Sequence, residues 1–127
     1  MMSDFDITVV DWAKGGGQVP AMIQDVRSGR VLMLGYVTEE SLRATLATSL
    51  VTFFSRSKGR LWQKGESSGH VLHLRDVKLD CDGDALLLLV EPEGPTCHLG
   101  TQSCFGEDAA PVLATLADLA KTIHEHR

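Results

Sequence analysis

Residues 79–91 read LDCDGDALLLLVE. Four leucines in a row offer water no polar face, so the run demands a buried strand, and any fold this chain adopts must cover it. Immediately before it, Asp80, Asp82 and Asp84 crowd around Cys81. In an extended chain, residues two apart lie roughly 6.5 Å from each other. Like charges at that spacing repel weakly in open water and far more strongly in a low-dielectric surround. The cluster is therefore either an exposed turn bent at Gly83, or a place where a cation removes the repulsion. Alternation along an extended chain would point Cys81 away from its aspartates, so the strand mouth could serve a soft ion on one side and a hard ion on the other. A calcium loop of the EF-hand type does not fit: its sixth position needs glycine and here is Ala85, and a leucine strand fills the liganding positions that follow.

The remaining residues supply the cover. VPAMIQDV and VLMLGYV read as strands joined by RSGR, a hairpin over residues 19–37. TEESLRATLATSL then switches to helical spacing: Leu42, Leu46 and Leu50 recur every four residues, Thr38 can cap, and Glu39 and Glu40 suit the N-terminal end. VTFFSRS and RLWQKGE suggest a second hairpin, and VLHLRDVKL a strand before the acidic cluster. The tail PVLATLADLAKTIHEHR is helical again, with Pro111 at its start and an apolar stripe of Val112, Leu113, Leu116, Leu119, Ala120 and Ile123. The expectation is one strand-rich α+β domain, mainly β, with two helices. Residues 1–18 form a lead-in ending at Gly15-Gly16-Gly17, residues 19–106 the body and residues 107–127 an amphipathic helix.

A length of 127 residues suits one domain, and 43% apolar with 23% charged residues is ordinary for a globular protein. The net charge of −5 argues against a general nucleic-acid binder. MMSDFDITVV has neither the basic region nor the apolar core of a signal peptide, and no stretch is long enough to span a bilayer, so a cytoplasmic location is expected. There the three cysteines stay thiols.

Cys81, Cys97 and Cys104 follow no CxxC pattern. They can be three small buried hydrophobes. They can also converge on one ion. Three protein ligands with a vacant position is the arrangement of a catalytic zinc, which can lower the pKa of a bound water to about 7. His98 either closes a Cys3His site or stays free as a proton-transfer group. The stretch SRSKGRLWQKGESSGH, residues 55–70, places Arg56, Lys58, Arg60 and Lys64 among Ser55, Ser57, Ser67 and Ser68. Cations beside hydroxyls and glycine amides suit a phosphate, and a solvated hairpin accounts for them equally well. Trp62 can pack in the core or stack on a base.

Taken together, SRSKGRLWQKGESSGH, LDCDGDALLLLVE and CHLGTQSCF resemble phosphoribosyl-AMP cyclohydrolases, with the match running from about Val19 to Phe105. The resemblance implies zinc- and magnesium-dependent hydrolysis of the N1–C6 bond of the adenine ring of phosphoribosyl-AMP, a step of histidine biosynthesis, with metal-activated water as nucleophile. It implies zinc ligation by Cys81 of one chain with Cys97 and Cys104 of the other, magnesium on Asp80, Asp82 and Asp84, and an intertwined obligate homodimer. Substrate contacts then fall to Arg56, Arg60, Trp62, Lys64, Ser67 and Ser68, and the proton to His98 first or His70 second. The family's last motif is close to CHTGRRSCF; here Leu99 replaces threonine, and Thr101 and Gln102 replace two arginines. The competing class is a non-catalytic zinc-binding module, with the thiols closed by His98 and the basic hairpin docking a partner.

Overall fold

Residues 5–106 are described by a computed structural model. They form strands β1 (Gln18–Asp25) and β2 (Val31–Thr38), helix α1 (Glu39–Thr48), and strands β3 (Thr52–Ser55), β4 (Arg60–Gln63), β5 (Leu72–Leu79) and β6 (Leu86–Pro92). The mainly β, α+β character expected from sequence is what the chain shows. The helix expected over residues 107–127 lies outside the described residues.

The leucine run is β6, and it occupies the middle of a four-stranded sheet ordered β2-β1-β6-β5. It pairs antiparallel with β5 and parallel with β1. Leu86, Leu88 and Val90 point into the core at 3%, 0% and 0% exposure, opposite Ala21 and Ile23 of β1 and Leu74 and Val77 of β5. Leu87 and Leu89 take the other face and stay half-buried. An apolar strand with neighbours on both edges leaves no backbone group unpaired, which is how so hydrophobic a run is accommodated.

The small β3–β4 hairpin packs beside β2. Gly35 makes the approach possible: a Cβ there would come within 2.5 Å of the Phe53 ring. Trp62 continues the layer, its ring 5.8 Å from Phe53, and is partly buried against the core.

Helix α1 starts as its sequence suggests. Thr38 accepts from the Ser41 N–H at 3.1 Å, and the Ser41 hydroxyl accepts from the Thr38 N–H at 2.9 Å, a reciprocal capping box. Leu42 is fully buried and Leu46 packs against the core. Leu50, assigned by periodicity to the same stripe, is not helical. Ser49 adopts the left-handed conformation at φ 63°, the helix closes at Thr48, and Leu50 bridges to His73 instead.

The lead-in contributes to the core. Ile7 and Val10 are buried around a single 3-10 turn at Ile7–Val9. Gly15–Gly17 form a hydrogen-bonded turn into β1. No helix among the described residues is long and apolar enough to cross a membrane.

The acidic cluster is a turn and not an extended strand mouth. Leu79 is the last residue of β5, Leu86 the first of β6, and residues 80–85 reverse the chain between them. The expected alternation of Cys81 against its aspartates therefore does not apply, because Gly83 at φ 75° bends the backbone.

Candidate active site

The β5–β6 hairpin separates two groups of chemistry. Its closed end carries the acidic turn and its open end leads through Pro92 to residues 93–104, so seven residues of β6, about 20 Å of strand, lie between.

At the closed end, ligand oxygens of Asp80, Asp82 and Asp84 lie within 4.8 Å of one another. Asp80 organises the turn: its Oδ1 accepts from the N–H groups of Asp84 and Ala85 at 3.0 and 3.2 Å. Desolvation pushes the Asp80 carboxyl up, but these N–H bonds outweigh it and hold its pKa below the usual carboxylate value. A depressed carboxylate favours the folded turn above its ordinary titration range, and the benefit is lost as pH falls through the lowered value. Lys14 pairs with Asp84 at 3.2 Å, and the Asp11 N–H donates to the Gly83 carbonyl at 2.7 Å, so the lead-in braces this turn. Cys81 is exposed at its tip.

At the open end, residues 96–104 form a tight loop: the Cys97 N–H donates to Thr101 O, the Thr96 N–H to Gln102 O and the Gly100 N–H to Cys97 O. Ser103, fully buried, fastens the loop to β2 by donating to Val31 O at 2.7 Å, and the Cys104 N–H donates to Leu32 O at 2.7 Å. The loop places the Cys97 and Cys104 thiols near enough for each to influence the other's ionisation. The two differ in acidity. The Leu99 N–H, 3.5 Å from Cys97 Sγ, and the Thr101 hydroxyl lower the Cys97 thiol below its ordinary value. Desolvation, followed by the neighbouring Cys97, raises Cys104. Lys64 favours the thiolate of both.

Cys97 borders a cavity of about 290 Å³ lined also by Lys64, Ser68, His70, Pro95, Thr96, His98 and Gly100. Both imidazoles expected from sequence are therefore in one place. The basic stretch divides. Lys64 and Ser68 join the thiol cavity, while Arg60 and Trp62 line a second one of about 220 Å³ with Ser55 and Lys58. Arg56 lies 4.4 Å over the Tyr36 ring, and Ser67 is exposed on the intervening turn. A third cavity of about 260 Å³, between Phe5, Ile7, Arg43, Leu46 and Ala47, holds no thiol, imidazole or carboxylate.

Sequence reasoning missed Gly94, Thr96, Lys14 and Tyr36. Thr96 is 2% exposed, and its hydroxyl has no hydrogen-bond partner among the described residues; nothing in the string PTCH signals that. Among the described residues, the Cys81 thiol does not join the three carboxylates in their cluster of converging donors.

The comparisons with known proteins agree with these motifs. The phosphoribosyl-AMP cyclohydrolase family model matches residues 33–106. The chain is 59% identical over 103 residues to the histidine biosynthesis bifunctional protein HisIE of Photobacterium profundum, covering 81% of this chain and 50% of that relative. The HisIE protein of Vibrio cholerae is 59% identical over 100 residues, 79% of this chain and 48% of its own length. That of Xylella fastidiosa is 56% identical over 109 residues, 86% and 52%. The chain thus spans about half the length of the curated relatives it matches. The matched segment carries the leucine strand, the acidic turn, both imidazoles and all three thiols, and with more than half of its residues inside that match the chain belongs to the phosphoribosyl-AMP cyclohydrolase family.

Proposed function

We propose that this protein opens the adenine ring of phosphoribosyl-AMP by hydrolysing its N1–C6 bond, using zinc and magnesium. The observation that carries the reading is the Cys97 thiol, with Cys104 beside it on the same loop, on the wall of a cavity that Lys64, Ser68, His70 and His98 also line.

The donor sets fit the two metals. Two soft sulfurs on one loop, one of them with its pKa lowered, suit zinc, and three converging carboxylates suit a hard cation. Cys97 and Cys104 would hold zinc with Cys81 of a second chain, because about 20 Å of β6 keeps a chain's own Cys81 from its own pair. The outward sheet face supports a paired state. Met22, Leu34 and Leu87 lie side by side across β1, β2 and β6, with Leu34 44% exposed. Zinc, when bound, supplies the Lewis acidity that makes water nucleophilic near neutral pH.

The chain's own residues divide the remaining tasks. Substitution at N1 leaves the purine electron-poor, so C6 is open to attack by water. Lys64 and Ser68 meet the substrate in the thiol cavity, and Lys58, Arg60 and Ser55 meet a phosphate in the neighbouring one. Trp62 lines that second cavity with its ring already braced by Phe53. The departing N1 needs a proton, and His98 or His70, both on the cavity wall, delivers it.

The direct test is to incubate the purified protein with phosphoribosyl-AMP and follow the ultraviolet spectrum, since ring opening changes the chromophore. Conversion is expected; an inert mixture with zinc supplied would favour a metal-binding module closed by His98. The magnesium assignment has its own test. Asp80 is committed to backbone N–H groups and Asp84 to Lys14, so Asp82→Asn disturbs the turn least. It should raise the magnesium concentration for half-maximal rate by about tenfold, as loss of one charged oxygen ligand from a hard-ion site implies. An unchanged magnesium titration would remove Asp82 from the site.

A further inference from the structure

His70, on the wall of the thiol cavity, is backed by a residue far away in sequence. The Glu93 N–H donates to the Val71 carbonyl at 2.9 Å, and this antiparallel contact sets Gly94 beside His70. A Cβ built on Gly94 would lie 2.8 Å from His70 Cδ2 and 3.2 Å from both Cγ and Nε2. The imidazole thus rests against a bare α-carbon, at a position whose φ of 96° already favours glycine. The backbone of His70 is held from the other side. Its N–H donates to Ser68 Oγ at 3.1 Å, the Gly69 N–H donates to Gly65 O at 2.8 Å, and a Cβ on Gly65 would meet the His70 carbonyl carbon at 2.4 Å.

We propose that Gly94 is a positioning residue whose missing side chain seats the His70 imidazole in the cavity wall, in the orientation the ring-opening step uses. This rests on the activity proposed above. The contact is one a methyl would disturb without unfolding the protein. His70 has two side-chain torsions and an exposed outer edge, so its ring would swing away rather than force the backbone apart. Displacement is what positional catalysis tolerates least: a misplacement of about 1 Å can cost roughly 10²-fold in rate.

The test is a double-mutant cycle of Gly94→Ala and His70→Ala, reading kcat, KM and zinc content in all four proteins. Gly94→Ala should lower kcat by about tenfold or more, with KM within about threefold and zinc content unchanged, because a displaced acid–base group weakens the transition state more than substrate binding. In the His70→Ala background the same methyl should cost less than about twofold, since the ring it displaces is gone. Alanine at a positive φ strains the backbone equally in both backgrounds, so that contribution cancels in the cycle. In the metal-free protein, the His70 ring resonances should shift in Gly94→Ala. Equal losses in the two backgrounds, a His70→Ala enzyme with wild-type kcat, or unmoved ring resonances would each overturn the proposal. A wild-type protein that fails to turn over phosphoribosyl-AMP would refute the activity instead, and the resonances would then decide whether the seat exists.

Discussion

Replacing Cys97 by serine is expected to remove zinc and turnover together. Cys97 is the thiol whose ionised form this fold favours, through the Leu99 N–H, the Thr101 hydroxyl and Lys64. A serine hydroxyl in its place is a harder donor that does not ionise near neutral pH, so it cannot replace a thiolate on a borderline-soft ion. With two sulfurs remaining, the expected rate loss is about 10³-fold or more, comparable to losing the activated water altogether. The loop itself should survive: Ser103 on β2 and the Cys97 backbone N–H on Thr101 O are untouched by the change. Metal-free wild type and variant should therefore melt together, and added zinc should raise the melting temperature of the wild type alone. Full activity in the variant would end the zinc reading, and a variant that melts early without metal would show that Cys97 acts on the fold.

What could be read in advance depended on how local the physics is. The capping box at Thr38 and Ser41 and the β5–β6 hairpin are set by near neighbours, and the sequence carries them openly. Leu50 shows where periodicity overreaches: its spacing matches Leu42 and Leu46, but one left-handed residue at Ser49 ends the helix before it. The acidic cluster is legible as donors and as a turn bent at Gly83, and only the alternation of Cys81 against its aspartates fails, because it assumes an extended chain. The parallel pairing of β1 with β6 is non-local, and no short stretch encodes it. Gly94 is the extreme case. A glycine in EPEGP looks like an ordinary turn residue until the fold lays it against His70. The separation of Cys81 from Cys97 also needed the fold: a seven-residue strand of about 20 Å holds them apart only because the loop beyond it is fastened to Val31 and Leu32 and does not double back.

That separation yields the sharpest expected result. Cys81→Ser and Cys97→Ser proteins should each be inactive alone and should regain activity when dissociated, mixed and reassembled. If each site takes Cys81 from one chain and Cys97 with Cys104 from its partner, a mixed dimer holds one site carrying both defects and one carrying neither. Random pairing makes half the dimers mixed, so activity and zinc content should recover to about a quarter of wild type, as two-fold symmetry with shared sites requires. Mixing Cys97→Ser with Cys104→Ser is the control. Those two residues sit on the same loop of one chain, fastened to β2 through Ser103 and the Cys104 N–H, so every site in every dimer keeps a defective pair and nothing should be rescued. Recovery in the first mixture but not in the second requires the sulfurs to come from two chains, since no rearrangement within one chain produces that asymmetry. Silence in both, with reassembly confirmed by size, would place all three ligands in a single chain, and β6 could not then remain the continuous strand that holds the ends of this hairpin apart.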